Sequence, residues 1–269
     1  MQPLIQVEHL VKCYSGRNVP GDGEVGPALN DVSFSVAPGR TLALVGESGS
    51  GKSTLALCLA GLERPTSGRI NFGGHDIVAL DEKQLRAVRP QIQLVFQDPV
   101  SSLNPRFTAL EILTEPLIVQ RRGGRNERRE RALTLLECVG LSREMADRGT
   151  GELSGGQRQR LAIARALSLA PKVLILDEAL SALDCSVQAQ IANLLMELQS
   201  SFALTYLFIT HDLVMAAHLS DEIAVMDRGR VVEQGVPEKV LRAPEHEATR
   251  RLMAAVPGSN VTPRLPRAL

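Results

Sequence analysis

Residues 46–54 read GESGSGKST, and residues 41–45 before them read TLALV. TLALV is a continuous apolar run of the kind that suits a parallel strand buried on both faces. The loop fits G-x-x-x-x-G-K-[ST], and KSTLALCLAGL after it reads as a helix, so the motif sits in the strand–loop–helix setting it requires. Glycines in such a loop let backbone N–H groups turn inward around phosphates, and the helix N-terminus adds partial positive charge. The candidate nucleotide contacts are therefore Gly46, Glu47, Ser48, Gly49, Ser50, Gly51, Lys52, Ser53 and Thr54. Lys52 would reach the β- and γ-phosphates of a nucleoside triphosphate, and the Ser53 hydroxyl would sit on Mg²⁺.

Working outward, VLILDE at 173–178 is a second apolar run, ending in Asp177 and Glu178. Open α/β sheets bind ligands at the carboxyl ends of their strands, so Asp177 is a candidate Mg²⁺ ligand and Glu178 a candidate base for an attacking water. IQLVFQ ends in Gln97, and LTYLFIT is followed by His211. A polar side chain at such an end can touch the γ-phosphate, the metal or the water. SVQAQIANLLMELQS reads as a helix with Ser186 as its N-cap and Val187, Ile191, Leu194, Leu195 and Leu198 on one face. Strands alternating with helices predict a parallel α/β core.

LIQVEHL, ALNDVSFSV and GRINFGG predict a β-rich N-terminal part, and about 100–168 predicts an inserted helical subdomain. AVMDRGRVVEQG predicts a hairpin closed around Arg228-Gly229. GRNVPGDGEVGP at 16–27 reads as a surface loop, and 258–269 as a loose tail. The arginines 121, 122, 125, 128, 129 and 131 form either a solvated helix face partly paired with Glu127 and Glu130, or a contact for a partner or lipid headgroups.

Lys plus Arg equal Asp plus Glu at 30 each, so bulk charge gives no sign of a nucleic-acid partner. The four cysteines are isolated and read as reduced thiols. No apolar run reaches the roughly 18 residues of a membrane helix, and the start lacks a secretory signal. A cytosolic chain that meets a membrane only through a partner is expected.

One stretch remains unused by a single nucleotide site. LSGGQRQR at 153–160 opens a second helix with a serine and two glycines, again the form of an anion-binding helix start. Taken in order, GESGSGKST, Gln97, LSGGQ, VLILDE, SALD and THD resemble the ATPase subunit of an ABC transporter over about residues 4–257. The resemblance implies an α/β P-loop NTPase with a mostly parallel core sheet, an N-terminal antiparallel β-subdomain and an inserted helical subdomain. It implies ATP and Mg²⁺, with Ser53, Gln97 and Asp177 toward the metal and Glu178, His211 and Gln97 toward hydrolysis.

It also implies that two such domains pack head to tail. Leu153, Ser154, Gly155, Gly156 and Gln157 of one copy would then cover the triphosphate held by the other, rather than merely cap a helix. Ser181, Ala182, Leu183 and Asp184 resemble the loop linking the two sites. Tyr14 resembles the aromatic that stacks on adenine, its alternative being a tyrosine at the core's edge.

Expected partners are a second ATPase subunit (the same chain or a different one), membrane permease subunits and, indirectly, a solute-binding protein, at the cytoplasmic face of the membrane. FQDPVSSLNPR and the tail PEHEATRRLMAAVP are similar to importers of oligopeptides, dipeptides and nickel, although Glu247 and Ala248 depart from that pattern. With no cysteine after Cys185, an iron–sulfur centre is not expected. A soluble ABC-type ATPase of DNA repair or the ribosome is the alternative.

Overall fold

The computed structural model describes residues 2–14, 26–98 and 102–255. The tail from 258, most of the 16–27 loop and part of the segment after Gln97 therefore lie outside the described residues. Two compact units are present, one of Met1–Arg89 with Thr205–Leu269, the other of Pro90–Leu204.

The first unit opens with β1 (Ile5–Lys12), β2 (Leu29–Val36) and β3 (Thr41–Val45), then α1 (Lys52–Leu59), β4 (Ser67–Phe72), β5 (His75–Asp76) and α2 (Glu82–Val88). Strands β2, β1, β4 and β5 form an antiparallel sheet in that order. Alternation sets its register: Ile5 and Val7 face Val36 and Phe34, all buried. Every residue of β3 is buried, as its unbroken apolar run predicts. A capping box between Asp81 and Gln84 starts α2, a helix absent from the sequence reading.

The second unit contains β6 (Ile92–Val95), α3 (Ala109–Val119), α4 (Arg125–Cys138), α5 (Gly155–Leu167), β7 (Val173–Asp177) and α6 (Cys185–Phe202). β6 and β7 are parallel, with Val95 opposite Leu176. The helices are joined by Arg165 of α5 to Glu115 of α3 at 3.1 Å, and by Arg160 of α5 donating to the Val139 carbonyl at 2.7 Å. Ile191, Leu194, Leu195 and Leu198 of α6 are buried on one face. Its N-cap is Asp184 and not Ser186: the Asp184 carboxylate accepts from the Val187 amide at 2.9 Å, so the helix begins two residues earlier than expected.

Within the arginine cluster, the expected pairing with Glu127 and Glu130 is not what is found. Glu127 caps its own helix at the Gly124 amide, and Glu130 lies 3.5 Å from Arg143. Arg122 and Arg131 instead donate to the Leu169 and Ser168 carbonyls, at the end of α5. Exposed carbonyls at a helix C-terminus carry partial negative charge, which makes them the better partner for a nearby guanidinium.

The chain then returns to the first unit as β8 (Thr205–Thr210), α7 (Leu213–Leu219), β9 (Glu222–Asp227), β10 (Arg230–Gly235), α8 (Pro237–Arg242) and α9 (Glu247–Ala254). β3 lies between β8 and β9, parallel to both, and β10 pairs antiparallel with β9. The hairpin turns on Arg228 and Gly229, both at positive φ (47° and 77°), as the two-residue turn predicts. Among the described residues, no helix is long and apolar enough to cross a membrane.

Candidate functional site

In the first unit the phosphate loop leaves β3 at Gly46 and enters α1 at Lys52. Lys52 is only 5% exposed, and its ammonium donates to the Gly46 carbonyl at 2.8 Å and the Glu47 carbonyl at 2.9 Å. The lysine thereby curls the loop around itself. Two glycines are sterically required. A Cβ on Gly46 would lie 2.3 Å from the Met226 carbonyl oxygen, and one on Gly51 (φ 106°) would lie 2.4 Å from that of Ala28. A Cβ on Gly49 (φ 79°) would meet nothing within 4 Å, so the loop's outer side is open there. Glu47, Ser48, Gly49 and Ser53 are exposed, and Ser50 is buried. The β9–β10 turn braces the loop: the Gly229 amide donates to the Ser50 carbonyl at 2.9 Å, and the Gly229 carbonyl accepts from Asn30 at 2.8 Å.

Tyr14 is 55% exposed, with the Lys12 ammonium 4.8 Å from its ring centroid. It lines a hollow of about 580 Å³ together with Cys13, Ala28, Arg228 and Gly49 of the phosphate loop. An aromatic face and a phosphate cradle therefore border one hollow, the arrangement that a purine nucleotide needs. Across the sheet, Val45 is opposite Thr210, so His211 leaves β8 at the edge where the phosphate loop leaves β3. Asp212 beside it is fixed as the cap of α7, accepting from Val214 at 2.8 Å and Met215 at 3.0 Å.

In the second unit the β6–β7 register brings Gln97 and the Asp177–Glu178 pair to one sheet edge. Gln97 Nε2 donates to Ser181 Oγ at 3.3 Å, and Ser181 Oγ donates to the Glu178 carbonyl at 2.8 Å. Glu178 has φ 47°, a left-handed conformation costly for a residue with a side chain. Strain of that kind, held by neighbouring hydrogen bonds, clusters at functional sites. The Gln188 side chain donates to the Leu180 and Leu183 carbonyls at 3.0 and 3.1 Å, which fixes the SALD loop.

Ser154 starts α5 with a capping box: its hydroxyl accepts from the Gln157 amide at 3.3 Å, and Gln157 Oε1 accepts from the Ser154 amide at 2.9 Å. Leu153 is buried, whereas Ser154 and Gly155 are exposed at the helix N-terminus. Gly156 has a packing reason within the chain as well, since a Cβ there would lie 2.7 Å from Val187 Cγ1.

The family model for "ABC transporter" matches residues 29–181, from β2 through the phosphate loop and Glu178 into the SALD loop. The chain belongs to the ABC transporter family. The cassette is 51% identical over 260 residues to the "Probable peptide ABC transporter ATP-binding protein y4tS" of Sinorhizobium fredii, covering 94% of this chain and 72% of that one. It is 45% identical over 267 residues to the "Dipeptide transport ATP-binding protein DppF" of Escherichia coli, covering 99% and 80%. With "Oligopeptide transport ATP-binding protein OppD" of Mycobacterium tuberculosis it shares 48% identity, spanning 42% of that longer protein. Among solved structures it is similar to the dimeric post-hydrolysis state of the ATP-binding cassette MJ0796 bound to ADP and Pi. There the TM-score is 0.77 at 33% identity, covering 87% of this chain and 98% of that one.

The cassette also places residues at the phosphate loop that sequence reasoning missed. Arg251 of α9 reaches Glu47 at 3.4 Å and Asp227 at 3.8 Å, joining positions 204 residues apart. Helix α9 is itself moored by Glu233 of β10, which accepts from the Glu245 amide (3.0 Å), the His246 amide (2.9 Å) and the Thr249 hydroxyl (2.5 Å). Burial pushes the Glu233 carboxyl up, but these hydrogen bonds outweigh it and hold the group below its ordinary value of 4.5. Because the folded value is depressed, the stabilisation is present above about pH 4.5 and is lost as pH falls through the folded value. Glu233→Gln is expected to lower the melting temperature at neutral pH by about 2–4 °C for each kcal/mol lost and to flatten its dependence on acid. Thermal unfolding of both proteins across pH measures it.

Proposed function

We propose that the chain is the ATP-hydrolysing subunit of a peptide importer. The hollow shared by Tyr14 and Gly49 carries the nucleotide reading; the class of cargo rests on the peptide transport proteins to which the chain is similar. Gly46 to Thr54 cradle the triphosphate of ATP, Lys52 balances its β- and γ-charges, and Tyr14 stacks on the base. The oxygens of Ser53, Asp177 and Gln97 are hard donors of the type that Mg²⁺ takes. When bound, that ion neutralises charge developing between the β- and γ-phosphates. Glu178 accepts the proton of the attacking water, and His211 donates toward the γ-phosphate.

The Ser154-Gly155-Gly156 helix start, exposed at Ser154 and Gly155, serves the triphosphate of a second ATPase subunit, so the working unit is a head-to-tail dimer. The exposure of Ser154 and Gly155 supports this reading. ATP closes the dimer, hydrolysis opens it, and the helices α3 to α5 pass that movement to membrane permease subunits at the cytoplasmic face. A solute-binding protein delivers the cargo to the permease.

The test is reconstitution. The chain is placed in lipid vesicles with the membrane proteins that co-purify with it. Labelled di- or oligopeptide should accumulate only with ATP and only with an intact Lys52. Accumulation of Ni²⁺ instead would replace the cargo, and no ATP-dependent accumulation would remove the transport reading.

A further inference from the structure

We propose that the face formed by the end of α3, the loop after it and the first turns of α4 binds an anionic lipid surface. This rests on the geometry of that face and not on the ATP chemistry. Residues 121–131 hold six arginines against two glutamates, on a chain whose total charge is zero. The acids of α3 and α4 themselves are already engaged. Glu127 caps Gly124 at 3.3 Å, Glu130 lies 3.5 Å and Glu137 2.8 Å from Arg143, Glu115 pairs with Arg165, and Glu111 caps Thr108. Arg121, Arg125 and Arg129 are exposed and have no acidic partner among the described residues.

The patch is contiguous. Arg128 Nε donates to the Arg122 carbonyl at 2.8 Å, which folds the loop onto the helix turn that carries Arg125 and Arg129. Arg121 occupies a left-handed position (φ 52°), where its amide and that of Arg122 close the end of α3 onto the Ile118 and Leu117 carbonyls at 3.0 and 2.8 Å. Glycine takes that position at lower cost, so an arginine there is held against its own preference.

Beside these cations stand two aliphatic side chains, Ile118 at 53% and Val119 at 71% exposure. An apolar pair beside a basic cluster is the composition that lies in a membrane interface. The nearby hollow, lined by Arg131, Cys138, Lys172 and Phe202, contains neither Ile118 nor Val119. A fluid bilayer needs no cleft: its acyl boundary takes the apolar pair and its headgroups take the arginines.

The full chain is mixed with vesicles of phosphatidylcholine alone or of phosphatidylcholine with phosphatidylglycerol, without permease, and sedimented at low and high salt. Binding is expected only to the anionic vesicles and to fall with salt. Each arginine at such a surface is worth about five-fold in partitioning. The triple variant R121Q/R125Q/R129Q should therefore bind roughly 100-fold more weakly, while the corresponding lysine triple variant retains binding. I118S/V119S should weaken binding at every salt concentration. ATP hydrolysis and melting temperature should stay unchanged in all of these variants. Equal binding to both vesicle types, or wild-type binding by the glutamine variant, would overturn the proposal. So would tighter binding to soluble polyglutamate than to the anionic vesicles, which would assign the face to an acidic protein.

Discussion

Glu178→Gln is expected to leave ATP binding intact while hydrolysis falls about 10²–10⁴-fold, the usual contribution of a general base. The substitution is nearly isosteric, and several features that position residue 178 belong to the backbone. Its carbonyl accepts from Ser181 Oγ, Ser181 is in turn held by Gln97, and its φ is fixed at 47°. None of these depends on the carboxylate, so this backbone geometry is kept when the proton acceptor is lost. The phosphate loop, with Lys52 on the Gly46 and Glu47 carbonyls, is likewise untouched. Equilibrium ATP binding and steady-state phosphate release, measured on one preparation, separate the two effects. Normal turnover would take the base role away from Glu178. Binding lost together with turnover would mean that the residue holds the nucleotide instead.

The parallel core was legible where its strands are buried on both faces. TLALV and VLILD carry no alternation to misread, and their ends announce the phosphate loop and the two carboxylates. The hairpin at Arg228-Gly229 was legible because a two-residue turn needs positive φ. Short helices were harder. The cue for α2 was Asp81 followed three residues later by Gln84, but α2 buries only Leu85, too little to give an apolar stripe. Asp184 and Ser186 are both good caps two residues apart, and only the 2.9 Å contact to Val187 separates them.

Other features have no local signature at all. The left-handed backbone of Glu178 follows from the loop that Ser181 and Gln188 tie down, and a motif fixes the residue type but not its strain. Arg251 near Glu47 depends on α9 docking against β10 through Glu233, a juxtaposition that periodicity cannot report. The arginine cluster could be counted in the sequence. Its partners were carbonyls at the end of α5, however, and carbonyls belong to every residue alike.

The exposed Ser154 cap marks the central claim, that one chain holds half of each hydrolysis centre. A helix start with small residues can approach an anion closely, and its amides gain most where water is excluded. Within its own chain the start is held by the Ser154–Gln157 capping box and by Gly156 packing on Val187, so its shape does not depend on a ligand. Hydrolysis should then require association, and the rate per chain should depend on how much dimer is present. The direct measurement is phosphate release per chain under saturating ATP and Mg²⁺ over a dilution series, with sedimentation reporting the fraction of dimer. Turnover per chain is expected to track that fraction and to vanish in the dilute limit. A constant turnover per chain in strictly monomeric protein would contradict the shared site.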